Sequence, residues 1–119
     1  MTIYKLKNKQ EYPIKGYDNK GNLIHQKDSN GYEYWCDYDN KGNKIHYRNS
    51  NGYEIWYDYD NKGNLIHQKD SNGYEYWYDY DNKGNEIHYK NSEGYGYWKG
   101  EKGNKITEEE FNKIWEKVE

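Results

Sequence analysis

The segment YDNKGNLIHQKDSNGYEYW, Tyr17–Trp35, recurs without change at Tyr59–Trp77. Near copies fill the residues between, so the chain is built on a period of 21: Tyr17–Asp37, Tyr38–Asp58, Tyr59–Asp79 and Tyr80–Gly100. A unit this short cannot bury its own apolar face and must stack on its neighbours. The first and third copies carry LIHQKD, the second and fourth KIHYRN and EIHYKN, so the duplication unit reads as 42 residues. One period before Ile24 and Trp35 stand Ile3 and Ile14, which makes residues 1–16 a worn N-terminal unit. Residues 101–106 repeat the turn and the Ile slot as a partial unit. Atypical end units of this kind act as caps.

Each copy contains two turn signals. SNG predicts a three-residue hairpin loop, with Ser29 and Asn30 right-handed and Gly31 left-handed; DNKG predicts a four-residue loop ending on a left-handed Gly42. Between them lie runs of seven, Asn22–Asp28 and Tyr32–Tyr38. An odd period with equivalent residues on one face requires one odd and one even loop. The expectation is an all-β protein: an antiparallel β-hairpin meander of about ten or eleven strands, twisted or curled, over residues 1–106.

This loop pattern sets Lys27 against Glu33, His25 against Trp35 and Ile24 against Cys36. Across the longer loop it sets Glu33 against Arg48, Trp35 against His46 and Cys36 against Ile45. One face then carries a Lys–Glu–Arg–Glu ladder beside a His–Trp ladder. The other gathers Ile24, Ile45, Ile66 and Ile87 with the tyrosines. A two-residue NG loop would instead oppose Asp28 to Glu33. Opposite charges across a strand pair stabilise by up to about 1 kcal/mol and like charges oppose, which favours the first register.

Composition supports a thin aromatic sheet. Leu, Ile, Val and Phe total 14 residues, too few for an ordinary core, but 17 Tyr and five Trp supply apolar area with polar tips. Alanine is absent, which disfavours a helical protein. The net charge of -3 gives no field for capturing nucleic acid. Cys36 is the single cysteine, in a slot held by Tyr57 and Tyr78 elsewhere, so no internal disulfide is expected. MTIYKLKNKQEYPIK has no apolar core of a signal peptide and no run reaches membrane-span length, so a cytoplasmic protein without membrane contact is expected.

The chain closes differently. In ITEEEFNKIWEKVE, Thr107 and Glu110 form a capping-box pattern, and Phe111, Ile114, Trp115 and Val118 fall on one helical stripe. A helix over residues 107–119 is expected to cover the last strand or to bind a partner.

The residues GYEIWYDYDNKGNLI resemble the YD-repeat (Rhs-type) signature, at Gly52, Tyr57, Tyr59, Asp60, Gly63, Asn64 and Leu65. That resemblance implies β-hairpin strips, which in the family curl into shells around toxin cargo; 119 residues are too few to enclose one. A weaker resemblance, through SNGYEYW, is to the cell-wall (choline-binding) repeats of surface proteins, whose paired Gly-Trp is missing here.

Several constellations invite chemistry. The histidines His25, His46, His67 and His88 recur two strands apart, about 9–10 Å, whereas ligands of one zinc ion all lie about 2 Å from it; no metal or cofactor is expected. Acid pairs such as Asp37 and Asp39 read as turn formers at hairpin edges. No residue set occurs once in a pocket-making way, so no enzyme is expected. Tyr with Lys and Arg could stack and neutralise single-stranded nucleic acid, but Glu33, Glu54 and Glu75 cancel that charge. The residues that stand out are Trp35, Trp56 and Trp77, with His46, His67, Arg48, Lys69, Glu54 and Glu75 beside them. Trp is a frequent interface anchor. The function expected is a non-catalytic inhibitor or antagonist of another protein, a nuclease or toxin, acting by surface occlusion: an immunity protein, or a phage or mobile-element anti-defence protein of the anti-CRISPR type. The alternatives are a carbohydrate or cell-wall-binding module and a nucleic-acid-binding or nucleic-acid-mimicking sheet. The sheet's edge strands also offer pairing to a second copy.

Overall fold

The computed structural model describes residues 1–7 and 9–118. Its strands are β1 (Ile14–Tyr17), β2 (Leu23–Lys27), β3 (Glu33–Tyr38), β4 (Lys44–Asn49), β5 (Glu54–Tyr59), β6 (Leu65–Asp70), β7 (Glu75–Tyr80), β8 (Glu86–Asn91), β9 (Gly96–Lys99) and β10 (Lys105–Ile106). They form one antiparallel ten-stranded sheet in chain order, an open meander. Helix α1 (Glu108–Ile114) follows.

The sheet is a single layer. The chain measures 89 × 30 × 21 Å. Among the described residues only Cys36, Asp70, Ile87 and Gly100 are buried, and no large side chain is fully so. The accessible surface is 9548 Å², against about 6,900 Å² for a compact monomer of this mass. Cross-strand pairs on two exposed faces therefore replace a core as the source of stability.

Both turns of the repeat are the same object. In one, the Asp28 N–H donates to Tyr32 O at 2.9 Å and the Gly31 N–H to Asp28 O at 3.0 Å. In the other, the Asp39 N–H donates to Asn43 O at 2.9 Å and the Gly42 N–H to Asp39 O at 3.1 Å. Each is a three-residue loop closed by a glycine, Gly31 and Gly42 both at φ 88°. The expected four-residue DNKG loop is thus overturned. The reason lies in Asp39, whose Oδ1 accepts the N–H groups of Lys41 and Asn43, each at 2.9 Å. That clasp draws Asn43 into the closing pair and leaves only Asn40, Lys41 and Gly42 in the loop.

Two equal loops alone would send successive repeats to opposite faces. A β-bulge prevents it. Tyr38 pairs with Lys44 but Asp37 pairs with His46, so Ile45 has no partner across the ladder. The same skip leaves Ile66 and Ile87 unpaired, and Ile24 at the first hairpin. One extra residue per repeat restores the parity that unequal loops were expected to supply. The pairs across the SNG loop stand as expected, Lys27 with Glu33 and His25 with Trp35. Those across the other loop move by two: Trp35 meets Arg48 rather than His46, and Cys36 meets Tyr47 rather than Ile45. Glu33 instead exchanges hydrogen bonds with Ser50, its carbonyl accepting from the Ser50 N–H at 2.8 Å and its N–H donating to Ser50 Oγ at 3.0 Å. Ser71 and Ser92 bind Glu54 and Glu75 alike.

Beyond each bulge a tyrosine hydroxyl bridges to the preceding hairpin. Tyr38, Tyr59 and Tyr80 donate to the carbonyls of Leu23, Lys44 and Leu65 at 2.8, 2.6 and 2.7 Å. Lys41 and Lys62 tie one loop to the next through Asn61 O and Asn82 O.

The ends differ from the expectation. Residues 1–7 form no strand. Gln10 stands where Gly31 supplies the left-handed residue of the turn, so the hairpin that would pair them with β1 lacks its closing glycine. At the other end the capping box forms, the Thr107 hydroxyl accepting from the Glu110 N–H at 3.2 Å. The helix stops at Ile114, well short of the expected 107–119 span; Glu119 lies outside the described residues. Trp115 turns extended, and its indole N–H donates to Lys99 O at 2.8 Å. Phe111 lies over His88 at 5.9 Å, so the helix covers the sheet end with Phe111 and Trp115, while Ile114 and Val118 stay exposed.

Gly63 has φ 87° and open space around its missing side chain. Gly63→Ala is expected to lose about 1–2 kcal/mol through backbone strain alone, read as a lowered urea midpoint at unchanged slope. An unchanged midpoint contradicts the turn assignment.

Candidate functional site

The bulge gives one face of the sheet its order. Following cross-strand partners from β1, Gly16 leads to His25, Trp35, Arg48 and Glu54. The next row reads Asp37, His46, Trp56, Lys69 and Glu75. The third reads Asp58, His67, Trp77, Lys90 and Gly96, and the last Asp79, His88 and Trp98. Each row crosses the sheet diagonally, because pairing slips by two residues per repeat. The expected separate ladders, one of Lys and Glu and one of His and Trp, are therefore merged into mixed rows.

The contacts within a row are close. The His25, His46, His67 and His88 rings stack on Trp35, Trp56, Trp77 and Trp98 at 5.4, 5.4, 5.4 and 4.9 Å. Arg48 sits 4.5 Å over the Trp35 ring and Lys90 5.1 Å from Trp77. Trp35 and Trp77 thus each have a histidine as cross-strand neighbour on one side and a cation on the other. Trp56 has its histidine, but Lys69 does not close over it, and its exposure is 41%.

Carboxylates stitch the rows together. His46 meets Asp37 through Nδ1 at 3.1 Å and Glu54 through Nε2 at 3.0 Å. His67 meets Asp58 at 2.8 Å and Glu75 at 3.0 Å in the same way. Glu54 belongs to the row of Arg48 and touches the histidine of the next. A neutral imidazole has one N–H and satisfies one of these carboxylates as donor; the protonated ring satisfies both.

The end rows are incomplete for visible reasons. Gly16 takes the Asp slot beside His25, and Gly96 takes the Glu slot beside His88. A Cβ on Gly96 would meet Tyr89 O at 2.5 Å, so no side chain fits. His88 Nε2 is buried without a partner, the ring lying under Phe111.

Every residue expected at the site, Trp35, Trp56, Trp77, His46, His67, Arg48, Lys69, Glu54 and Glu75, falls on this one face. Asp37, Asp58 and Asp79 were not among them. The reading of Asp37 as a turn former is corrected: it pairs with His46, and Asp39 alone makes the turn. The signal for it was a constant spacing of nine residues between each Asp and its His. A depression beside the first two rows is lined by Ile24, His25, Trp35, Cys36, Asp37, His46, Arg48 and Glu54. Among the described residues no cluster of three or more His, Cys, Asp or Glu could hold a metal ion, and no helix is long and apolar enough to cross a membrane.

The opposite face is tyrosine. Rows there run Cys36, Tyr47, Ile55 and Asp70, then Tyr57, Gln68, Tyr76 and Asn91, then Tyr78, Tyr89 and Tyr97. Hydroxyls are tied down: Tyr32 to Tyr47 at 2.6 Å, Tyr34 to Gln26 at 2.9 Å and Tyr53 to Asp70 at 3.1 Å. Tyr97 donates to Glu86, which with burial pushes its phenol up to about 12.

No family model matches the chain and no curated protein matches it. A solved structure of the Photorhabdus luminescens Tc holotoxin pore is similar at 21% identity with a TM-score of 0.41, over 67% of this chain and 5% of that one. An overlap of that extent bears on neither partner nor role.

The turn aspartates carry a pH dependence. The Asn43 N–H on Asp39 and the Asn85 N–H on Asp81 hold both carboxyls below their ordinary value of 3.8, against the opposing effect of burial. A lowered folded value gives stability that is full above the ordinary value and lost as pH falls through the lowered one. The double variant Asp39→Asn with Asp81→Asn, whose amides keep an oxygen acceptor, is expected to flatten the fall in melting temperature between about pH 4 and pH 2. An acid limb as steep as that of the wild type contradicts this.

Proposed function

We propose that the chain is a non-catalytic binding protein that grips a protein partner through the Asp–His–Trp–Lys/Arg–Glu face and blocks it by covering its surface. The observation that carries this reading is Trp56, a large aromatic held by His46 at the middle of a fixed charged array and left exposed. A desolvatable aromatic inside a polar rim is the arrangement of interface hot spots. Charges of both signs in register suit a complementary protein surface, through attraction to matching groups and rejection of others. The partner class we infer is a nuclease or toxin, which makes this chain an immunity or anti-defence protein, of the anti-CRISPR type among others, working in the cytoplasm.

The same geometry weighs against the alternatives. Carbohydrate and nucleic-acid platforms need open ring faces. A platform needs several such faces in a row, whereas Arg48 and Lys90 occupy one side of Trp35 and Trp77, histidines stack as their cross-strand neighbours, and Trp56 alone of the three lacks a cation.

We also infer that the repeat is of the YD class. Most signature positions have a task in the fold. Gly52 and Gly63 take φ 84° and 87°. Asp60 clasps Lys62 and Asn64. Tyr59 pairs with Leu65 and bridges to Lys44 O.

Affinity capture from cells expressing nuclease toxins, or nucleases of an antiviral system, is expected to recover one such enzyme with its activity blocked. Trp56→Ala is expected to weaken that complex by at least about 30-fold, the hot-spot threshold of about 2 kcal/mol, with the melting temperature nearly unchanged. An equally tight complex with the variant refutes the assignment of the face. Sedimentation with wall polymers in place of a protein complex favours the carbohydrate alternative.

A further inference from the structure

The tyrosine face is not used by this reading, and it is poorly suited to open water. It spans ten strands of two to six residues, and at about 4.8 Å per strand and about five residues of 3.4 Å each its area is about 800 Å². That equals the roughly 800 Å² per partner buried in a stable protein interface. A sheet with one amphipathic face ordinarily buries it against a second layer, and among the described residues only a short helix packs on this sheet. That helix covers His88 and lies against β9, on the tryptophan side.

We propose that the second layer is another copy of this chain, the two sheets packing tyrosine face to tyrosine face as a sandwich. The chemistry of the face fits self-association. The middle strands present Tyr34, Tyr57, Gln68, Tyr76, Tyr78 and Tyr89, half-buried and uncharged. Interfaces are enriched in tyrosine and depleted of charge at their centre. Charged groups on this side lie away from its centre or are tied down: Lys15 is on the first strand, and Asp28, at a hairpin end, accepts from Gln26 at 2.9 Å. Asp70 is buried and accepts from the Tyr53 hydroxyl. Lys44 and Glu86 stand at the same sheet edge, on β4 and β8. A twofold axis parallel to the strands reverses strand order and carries Lys44 of one copy towards Glu86 of the other. Lys99 and Lys105 lie at the end strands, over the ring of Tyr97. The assembly is bivalent, with a tryptophan face on each outer side, which raises avidity for a repeated or dimeric partner.

Sedimentation equilibrium between about 1 and 100 µM is expected to give twice the 14.6 kDa chain mass at the upper concentrations. Gln68→Lys, which sets two like charges at the centre of the twofold, is expected to return a folded monomer, and Trp56→Ala on the other face to leave the dimer intact. A second measurement avoids reliance on a variant. A sample mixed from two isotope labels is expected to show NOEs between copies from the rings of Tyr57, Tyr76 and Tyr78. A monomer across the whole range, a dimer untouched by Gln68→Lys, or inter-copy NOEs from Ile14–Tyr17 alone each overturn the sandwich; the last two point to edge pairing. These outcomes are independent of the partner of the tryptophan face.

Discussion

One unpaired residue per repeat keeps the two faces of this sheet distinct. Identical three-residue turns at both ends would carry each strand pair forward by an even step, while the repeat is odd, and like residues would alternate between sides. The bulge at Ile24, Ile45, Ile66 and Ile87 absorbs the difference. It also tilts the rows, so a histidine faces a tryptophan on one strand and an aspartate on the other. Without that slip His46 would not lie between Asp37 and Glu54.

The energetic consequence is a fold assembled from pairs rather than from a core. Each cross-strand rung contributes about 0.2–1 kcal/mol, and the rungs repeat along the sheet. Turn clasps such as Asp60 on Lys62 and Asn64, and bridges such as Tyr59 on Lys44 O, hold successive hairpins at a fixed offset. Such a sheet presents its side chains in ordered rows on both sides of a thin open layer. The tryptophan face gathers charge and rings in contact; the tyrosine face ties its hydroxyls to neighbours and keeps most of its charge away from its centre.

Much of this was legible in the sequence. The turns declare themselves through glycines that take positive φ, and the capping box through Thr107 and Glu110. Alternation within each run separated Trp35 and Arg48 from Tyr34 and Tyr47 correctly. The bulge was not legible, because an unpaired isoleucine looks in sequence like one more apolar alternation. The bulge moves every pairing across the second loop by two, and so brings an aspartate beside the histidine. The C-terminal apolar stripe also runs past the end of the helix. Ile114 and Val118 share the periodicity of Phe111 and Trp115, but Trp115 anchors to Lys99 O and ends the helix. Periodicity cannot register such a tertiary hydrogen bond.

The register across β5 and β6 tests the whole account most directly, and solution NMR reads it. The bulged arrangement predicts α-proton NOEs between Ile55 and Asp70 and between Tyr57 and Gln68. NOEs from Ile55 to Gln68 and from Tyr57 to Ile66 would place Trp56 against His67, abolish the bulge, and contradict the arrangement of both faces.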